Sequence, residues 1–215
     1  MDNELKDLLA AWGVGLAPEQ ENRLAIYVAE LKAANAVMNL ISPKDEAAVW
    51  TRHIADSLAA VPVLRRLVKP GSLIADSGTG AGFPGLPLAA VLGDYDFELI
   101  DSIGKRCDFV RRAAAAAGVS LSVTQRRVGE GPKLARYAAV TERAMGHLEN
   151  ILPQCLNMLK NGGFFLAWQS AAQMAAPRPE VERELKRCRA ALAEKHGYRL
   201  PGEEADRYIA VYARL

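Results

Sequence analysis

The sequence has little cysteine, and its cysteines are not clustered. Cys107, Cys155 and Cys188 are far apart, and none belongs to a C-x-x-C pair. Secreted scaffolds held by disulfides and structural zinc sites both need paired or clustered cysteines. The pattern therefore excludes a disulfide framework, predicts no metal site and favours reduced thiols in the cytoplasm.

The chain also lacks an excess of charge of either sign and any long hydrophobic run. Lys and Arg number 27 against 25 Asp and Glu, a formal net charge of +2 over 215 residues. No segment approaches the roughly 20 apolar residues that a membrane-spanning helix needs, and the acidic start is unlike a secretory signal. These absences predict a cytoplasmic protein with no membrane partner. They also exclude a polycationic coat protein, so contact with any nucleic acid would depend on a local basic patch.

Helical periodicity dominates the first seventy residues, and alternating strands and helices follow. Apolar residues recur at helical spacing after Pro18, and Ser42-Pro43 starts a second helix. From Ser72 onward, short loops join short apolar strands to helices, which is typical of right-handed βαβ crossovers. We therefore predict an α/β fold with a doubly wound, mostly parallel sheet over residues 71–215 and an N-terminal helical extension over residues 1–70. The predicted strands are 72–76, 97–101, 119–124, 137–141, 164–168 and 208–213, with a long charged helix over 180–196 and a terminal pair of strands after it.

A glycine-rich turn after the first predicted strand is the most informative local motif. In the run from Asp76 to Gly85, the glycines Gly78, Gly80 and Gly82 let a ligand approach the backbone closely. A dinucleotide fingerprint would have glycine where Phe83 stands, and no Gly-Lys-Ser/Thr follows for a P-loop. An acid before a G-x-G-x-G run is instead typical of methyltransferases that use S-adenosylmethionine, whose amino and ribose hydroxyl groups need an acidic partner. The structural alternative is an ordinary tight turn.

Asp101, at the end of the second predicted strand, is the next candidate. It lies nineteen positions after Gly82, close to the ~20 residues expected for an acid that reaches ribose hydroxyls. The competing interpretation is a solvated aspartate that caps the following helix. The ribose role is favoured once the glycine turn is taken as a cofactor site.

In combination, these motifs resemble the bacterial 16S ribosomal RNA guanine-N7 methyltransferases, also called glucose-inhibited division protein B. The resemblance runs in order over most of the chain. Its most specific parts are the G-F-P-G-x-P extension of the turn, the D-S-x-x-K-R step from Asp101 and the R-H-x-x-D-S-L segment from Arg52. Shorter matches are Asn39-Leu40, Arg127, Glu142-Arg143-Ala144 and Gly162-Gly163.

The resemblance implies a Rossmann-like class I methyltransferase fold. The implied reaction transfers a methyl group from S-adenosylmethionine to N7 of a guanine in 16S rRNA or the small ribosomal subunit, with S-adenosylhomocysteine as product and no metal. It further implies that Gly78 and Phe83 line the cofactor, that the backbone of Val128 and Gly129 holds the adenine, and that Arg143 faces the active site. We expect a monomer.

The chain departs from the family pattern at three places. The acidic residue usual at the position of Gly129 falls at Glu130, Gln169-Ser170 replaces a common Lys-Gly pair, and Ser77 replaces an apolar residue. The second departure removes a lysine from the substrate side and motivates an alternative, an RNA-binding scaffold without turnover. The intact glycine turn argues against that alternative. A third hypothesis, an NAD-dependent oxidoreductase, is disfavoured by Phe83.

Methylation at N7 makes few demands on catalytic groups. N7 of guanine carries a lone pair that is already available, so no base has to remove a proton. The protein has to align N7, the methyl carbon and sulfur, and to exclude water. Arg143 is the catalytic candidate because it can grip a phosphate or the guanine. Its structural alternative is an ion pair with Glu142 or Asp101.

Basic residues near the predicted strand ends are the candidates for RNA contact. The residues assigned to this role are Arg52, His53, Lys105, Arg106 and Arg127. A packing histidine at a helix interface is the competing interpretation of His53, and Asp56-Ser57 is interpreted as the start and cap of a helix. The arginines of the predicted late helix alternate with glutamates and are interpreted as a solvated face.

Overall fold

The computed structural model describes residues 1–129, 135–175 and 178–215, and its first part is helical. The helices are α1 (Asn3–Ala11), α2 (Pro18–Met38), α3 (Pro43–Ala47), a π-helical segment (Trp50–Ala55), α4 (Asp56–Leu58) and α5 (Val61–Leu67). Pro18 and Pro43 begin α2 and α3, where the amide hydrogen that proline lacks would have no partner in the helix. The N-terminal region is therefore helical as predicted, although the second predicted helix is broken into three short segments.

A seven-stranded sheet in the order β3-β2-β1-β4-β5-β7-β6 follows within the described residues. Its strands are β1 (Leu73–Ser77), β2 (Asp96–Asp101), β3 (Ser122–Gln125), β4 (Tyr137–Glu142), β5 (Leu159–Ser170), β6 (Ala190–Tyr198) and β7 (Arg207–Arg214). Between them lie α6 (Gly85–Val91), α7 (Gly104–Ala116), α8 (Leu148–Met158), α9 (Ala171–Ala175) and α10 (Pro179–Arg187). β1 to β5 pair in parallel, and β7 is antiparallel to both β5 and β6. The doubly wound, mostly parallel sheet is confirmed.

The sheet carries a hydrophobic core on each face. Successive residues of the central strands alternate between the cores, so that Ile74 and Ala139 pack on one face while Ala75 and Val140 pack on the other. The first core contains α6, α7 and the N-terminal helices, and the second contains α8 and α10. The division proposed after residue 70 thus separates two segments that share one core.

The predicted helix over residues 180–196 is wrong in its second half. α10 ends at Arg187, Arg189 has a φ of +51°, and the following residues form the edge strand β6 against β7. Only Ala190 and Tyr198 of that strand are buried. Because the strand lacks a buried apolar face, its side chains carry no alternating pattern, and it is defined by backbone pairing.

The topology determines where a ligand site can form. The chain leaves β1 toward β2 and β3, and it leaves β4 in the opposite direction toward β5. At such a switch point the two sets of crossovers diverge, and a crevice opens beyond the carboxyl ends of the strands. The glycine turn after β1, Asp101 at the end of β2 and Arg143 just after β4 all lie at this edge.

Candidate functional site

The glycine turn at the carboxyl end of β1 is fixed from two sides. Gly78 has a φ of +68°, which residues with a Cβ rarely adopt. The N–H groups of Gly78 and Thr79 donate to the carbonyl of Ile100 in β2 at 2.9 and 3.0 Å. The hydroxyl of Tyr27 in α2 donates to the carbonyl of Ala81 at 2.8 Å. The N-terminal helices therefore hold the turn in shape.

Asp76, assigned from the sequence to the cofactor, lies beneath the turn. Its side chain is fully buried; Oδ2 accepts a hydrogen bond from the N–H of Gly85 at 3.0 Å, and Oδ1 accepts one from the hydroxyl of Thr141 at 2.8 Å. Burial raises the pKa of the carboxyl to about 6. The structure therefore places Asp76 beneath the turn, where both of its oxygens already bond to the protein, and its assignment to the cofactor stays a prediction.

A cavity of about 600 Å³ opens beside the turn and is lined by the ends of β1 and β2, the segment after β3 and the loop after β4. We call it the turn cavity. Asp101 lies in its wall, where Oδ2 accepts from the N–H of Gly80 and Oδ1 from the N–H of Ile103, both at 2.9 Å. The second contact bonds Asp101 to the residue before α7, but α7 has no side-chain cap and Asp101 is buried. The first contact joins the carboxylate to the glycine turn.

The segment after β3 forms the opposite wall of the turn cavity. Val128 lines this wall, and Gly129 follows with a φ of +90°. A Cβ built on Gly129 would lie 3.0 Å from Oε1 of Gln154, so an acidic side chain would be strained at this position. Glu130, the acid that follows one position later, lies outside the described residues.

Met145 also lines the turn cavity, and sequence reasoning missed it. A Cβ built on Gly78 would lie 2.4 Å from both Cγ and Sδ of Met145, so the thioether packs directly on this glycine. The hydroxyl of Ser77 lies 3.4 Å from the same sulfur, and the N–H of Met145 donates to Oε1 of Glu142 at 2.5 Å. The available signal was its position just after β4, the strand that adjoins β1.

Glu142, buried at the end of β4, gives the stability of the protein a testable dependence on pH. Burial raises the pKa of its carboxyl from 4.5 to about 7. The folded state therefore holds this proton more tightly than the unfolded state. The resulting stabilisation is complete below pH 4.5 and is lost as the pH rises through about 7.

We expect Glu142→Gln, which carries no charge at any pH, to match the wild type at pH 4. At pH 8 its free energy of unfolding should exceed that of the wild type by on the order of 2 kcal/mol. Urea denaturation at both pH values measures the difference. The exposed Glu204→Gln variant is the control and should stay within about 0.5 kcal/mol. A Glu142→Gln effect that is the same at pH 4 and pH 8 would contradict the prediction.

Arg143, directly after β4, is held from three directions. Its Nη1 donates to Oδ2 of Asp56 at 2.7 Å, and its Nη2 lies 2.7 Å from Nδ1 of His53. Its guanidinium carbon lies 4.9 Å from the centre of the Phe83 ring, which stacks on the ring of His53 at 4.6 Å. The ion pair considered from the sequence is therefore present, but its partner is a carboxylate of the N-terminal extension.

His53 is a neutral acceptor in this arrangement. Burial, assisted by the positive charge of Arg143, lowers the pKa of its imidazole to about 4. Since a guanidinium can only donate hydrogen bonds, Nδ1 accepts, and the ring hydrogen is on Nε2. The structure therefore gives His53 a packing role against Phe83 and a contact with the catalytic candidate at the same time.

Asp56 is the centre of a buried cluster; it begins α4 as interpreted, but the interpretation as a helix cap is wrong. Its side chain has no solvent exposure, and α4 receives no side-chain cap. Oδ1 accepts from the hydroxyl of Tyr198 at 2.6 Å and from Nη1 of Arg207 at 3.2 Å, while the backbone carbonyl accepts from the indole of Trp168 at 2.9 Å. These partners come from β5, β6 and β7, which no local sequence pattern connects to residue 56.

Two clefts adjoin the turn cavity, and both are lined by Arg143. The first, of about 410 Å³, faces the N-terminal helices and includes Arg52, His53, Phe83 and Arg106. The second, of about 440 Å³, faces the end of the sheet and includes Asp56, Trp168, Gln169, Tyr198 and Arg207. Ala144 lines both clefts and the turn cavity. Ala144 is therefore shared by all three spaces, and Arg143 beside it lines both clefts.

The residues assigned to RNA from the sequence are spread along this edge. Arg52 and His53 lie in the 410 Å³ cleft, and Arg106 lines both that cleft and the turn cavity. Arg127 lies in the wall of the turn cavity, and Lys105 is exposed in the first turn of α7. The structure thus places Arg52, His53 and Arg106 in a cleft that Arg143 also lines, whereas Lys105 lines neither that cleft nor the turn cavity.

Gln169, which stands where the family commonly has a lysine, is buried at the end of β5. Its Nε2 donates to the carbonyl of Trp168 at 2.8 Å, and its Oε1 accepts from Nη1 of Arg178 at 3.1 Å. The side-chain amide of Gln169 is thus hydrogen-bonded to an arginine at the start of α10. A positive charge therefore lies near the position from which the lysine is missing.

The described part of the chain shows neither a metal cluster nor a membrane segment. Within it, no group of three or more His, Cys, Asp or Glu side chains could hold a metal ion, and no helix has both the length and the apolar character to cross a membrane. The three cysteines form no disulfide. Burial raises the pKa of the Cys107 and Cys155 thiols, which keeps them unreactive.

Known proteins resemble this chain over nearly its whole length. A family model described as GidB, rRNA small subunit methyltransferase G, matches residues 20–197. The Ribosomal RNA small subunit methyltransferase G of Salmonella arizonae is 32% identical over 212 residues, covering 98% of this chain and 97% of the relative. The protein of the same name from Aeromonas salmonicida is 32% identical, covering 100% of this chain and 99% of its own length.

Solved structures of lower identity share the fold. TYW2 from M. jannaschii in complex with AdoMet has a TM-score of 0.54 at 11% identity, covering 72% of this chain and 76% of its own. TrmN from Thermus thermophilus has a TM-score of 0.56 at 20% identity, covering 77% and 53%. The predicted Rossmann-like class I methyltransferase fold is confirmed. Given the family match over most of its length, the chain belongs to the GidB family, rRNA small subunit methyltransferase G.

Proposed function

We propose that this chain transfers the methyl group of S-adenosylmethionine to N7 of a guanine in 16S rRNA, either as RNA alone or in the small ribosomal subunit. The observation that carries the proposal is that Ala144 lines the turn cavity and both clefts, with Arg143 beside it lining both clefts. If the cofactor enters the turn cavity and the RNA enters a cleft, a guanidinium at this junction can orient the reacting base. Family membership supports the same reaction.

The turn cavity fits S-adenosylmethionine in size and in chemistry. Its volume of about 600 Å³ lies within the range of roughly 300–1,000 Å³ typical of small-molecule sites. Gly78 lines the cavity, and Gly80 next to it is open to close backbone contact. Asp101 offers a carboxylate to the ribose hydroxyls, and Val128 with Gly129 forms the adenine side. The cofactor supplies a methyl group on a positively charged sulfur, and S-adenosylhomocysteine is the product. No metal takes part in the proposal.

Gly82 and Phe83 shape the far side of the turn. The Phe83 ring packs edge-on against Tyr27 at 5.5 Å and stacks on His53, and it is 5% exposed. It therefore contributes an apolar wall near the reacting groups. Phe83 also disfavours the oxidoreductase hypothesis, because a dinucleotide turn needs glycine at this position. Saturable binding in a nicotinamide fluorescence titration would revive that hypothesis.

The contribution of this chain to the reaction is alignment. N7 of guanine already has a lone pair, and Arg143, paired with Asp56, can donate hydrogen bonds but cannot accept a proton. Arg143 must leave N7 unoccupied, since that lone pair attacks the methyl carbon; O6 of the base or a neighbouring phosphate is its partner. The side chain of Arg143 is only 13% exposed, so the junction also limits the access of water.

A few basic residues hold the RNA in this proposal, because the net charge of +2 gives little general attraction. Arg52, His53 and Arg106 line the cleft that leads to Arg143, while Arg127 and Lys105 lie farther along the same edge. A guanine can reach the junction only if it is unpaired or splayed out of its stack. We propose a monomer that acts in the cytoplasm.

The experiment that tests the function uses ribosomal RNA from cells that lack the enzyme. The protein is incubated with radiolabelled methyl donor and either deproteinised 16S rRNA or intact small subunits, and the label is mapped by cleavage at N7-methylguanine. We expect label at a guanine N7 in at least one of the two substrates. Label nowhere in the small-subunit RNA would overturn the proposal.

The RNA-binding scaffold makes a different prediction from the enzyme. A scaffold would bind small-subunit RNA without saturable binding of S-adenosylmethionine, whereas the enzyme binds both. Isothermal titration calorimetry with the cofactor separates the two cases. The observation behind the scaffold hypothesis is Gln169, and its contact with Arg178 weakens that hypothesis because a cation is restored nearby.

A further inference from the structure

The carboxylate of Asp56 connects Arg143 to parts of the chain that are remote from the active site. One oxygen accepts from Nη1 of Arg143, and the other accepts from Tyr198 at the end of β6 and Arg207 at the start of β7. These partners are separated from Asp56 by 87, 142 and 151 positions. A side chain with no solvent exposure therefore joins the N-terminal extension, the loop after β4 and both final strands.

The hydrogen bonds of Arg143 leave a defined pair of donors for a ligand. A guanidinium has five N–H groups. Nη1 uses its two on Asp56 and, at 3.4 Å, on the carbonyl of Arg52, while Nη2 uses one on His53. Among the described residues, the N–H of Nε and the second N–H of Nη2 have no such partner. These two groups remain to donate to a carbonyl or phosphate oxygen of the RNA.

The direction in which these two donors point depends on Asp56. His53 is neutral, so its hydrogen bond orients the guanidinium of Arg143 but does not compensate its positive charge. The carboxylate of Asp56 does both, and charge-assisted hydrogen bonds of this kind are stronger than neutral ones. The hydroxyl of Tyr198 and the guanidinium of Arg207 fix the carboxylate in turn, so its orientation is set by the final two strands.

We propose that Asp56 is a positioning residue for the methyl transfer: it holds the guanidinium of Arg143 so that the two remaining N–H groups face the RNA. Tyr198 donates to the same carboxylate and so positions Arg143 indirectly, through Asp56. The inference rests on the proposed function, because it assigns Asp56 a part in that reaction. It predicts that Asp56 affects turnover through Arg143 and leaves the turn cavity intact.

The test compares Asp56→Asn with Asp108→Asn, which removes the carboxylate of an exposed surface pair with Arg111. Methyl transfer is measured well below the melting temperature, with the affinity for S-adenosylmethionine measured by calorimetry. We expect Asp56→Asn to lower kcat about thirtyfold to a hundredfold while changing the cofactor Kd less than threefold. Asp108→Asn should leave both unchanged. A merely structural role would lower the melting temperature without changing kcat per folded molecule.

The decisive measurement is a double-mutant cycle in an Arg143→Lys background. This variant keeps the positive charge but lacks the planar guanidinium and its paired N–H donors. If Asp56 acts through Arg143, Asp56→Asn should lower kcat less than threefold there. Tyr198→Phe keeps the volume of the side chain and removes one hydrogen bond to Asp56. It should lower kcat about threefold to tenfold in the wild type and not in Arg143→Lys, and it carries the test if Asp56→Asn does not fold.

Two outcomes would overturn the inference: an unchanged kcat in Asp56→Asn, or the same loss in both backgrounds. An unchanged kcat in Tyr198→Phe, or an equal loss of kcat in the wild-type and Arg143→Lys backgrounds, would overturn it as well. Failure of the proposed function looks different, because the wild type itself would then transfer no methyl group to small-subunit RNA.

Discussion

Replacement of Arg143 by alanine is expected to lower kcat/KM for methyl transfer at least about a thousandfold. The side chain lines both clefts beside Ala144, the residue that these clefts share with the turn cavity, and its remaining donors are the groups that we assign to the RNA. Without them, N7 is no longer held in line with the methyl carbon and sulfur. Initial rates with saturating methyl donor and graded small-subunit RNA measure the loss.

The fold should survive this substitution. Asp56 keeps its contacts with Tyr198 and Arg207 when Arg143 is removed, so the buried carboxylate does not lose all its partners. Circular dichroism should be unchanged, and the affinity for S-adenosylmethionine should stay within about threefold. Arg143→Lys is the matched variant. It should retain part of the activity because the ammonium keeps the positive charge. The rest should be lost because an ammonium cannot donate the two parallel hydrogen bonds of a planar guanidinium. Normal turnover in Arg143→Ala would refute the assignment.

Gly85→Ala is expected to reduce the free energy of unfolding by about 3 kcal/mol, the upper part of the range for overpacking a core. A Cβ on Gly85 would lie 2.7 Å from Cβ and Oδ2 of Asp76 and 2.8 Å from Cγ of Leu99. Both neighbours are buried in adjacent strands and cannot swing aside as a flexible surface side chain would. The change would also displace the carboxylate that receives the N–H of Gly85.

Gly93→Ala is the matched control for this prediction. Gly93 lies in the exposed turn before β2, and a Cβ built there meets no atom within 4 Å. Its free energy of unfolding should therefore change by less than about 0.5 kcal/mol. Urea denaturation of both variants gives the comparison. Equal stabilities would show that the space around Gly85 adapts more easily than these distances indicate.

The parts of the fold that the sequence predicts correctly are those with a local pattern. The strand before the glycine turn is a short apolar run, and the turn itself has glycines that a backbone with positive φ requires. The prediction was wrong at β6 for the opposite reason. Most residues of this strand face solvent, and its pairing with β7 leaves no pattern within the segment itself.

The candidate site shows the same division. The glycines, Asp101, Val128 and Arg143 follow strands whose ends meet at one edge of the sheet, so their proximity follows from the topology. The role of Asp56 could not be predicted, because three of its partners lie 87 to 151 positions away. The position of Asp76 beneath the turn could not be predicted either, since the sequence does not show which face of a backbone an aspartate supports.

The position of β7 has a consequence for the time at which the protein becomes active. β7 follows every other strand in the chain, yet it lies between β5 and β6, and its first residue, Arg207, contacts Asp56. Contacts of such long sequence separation form late in folding. While the chain is being synthesised, the cluster around Arg143 therefore stays incomplete until β7 has emerged. The proposed contact between Arg143 and the RNA can therefore be oriented by Asp56 only after Arg207 and the rest of β7 have been synthesised.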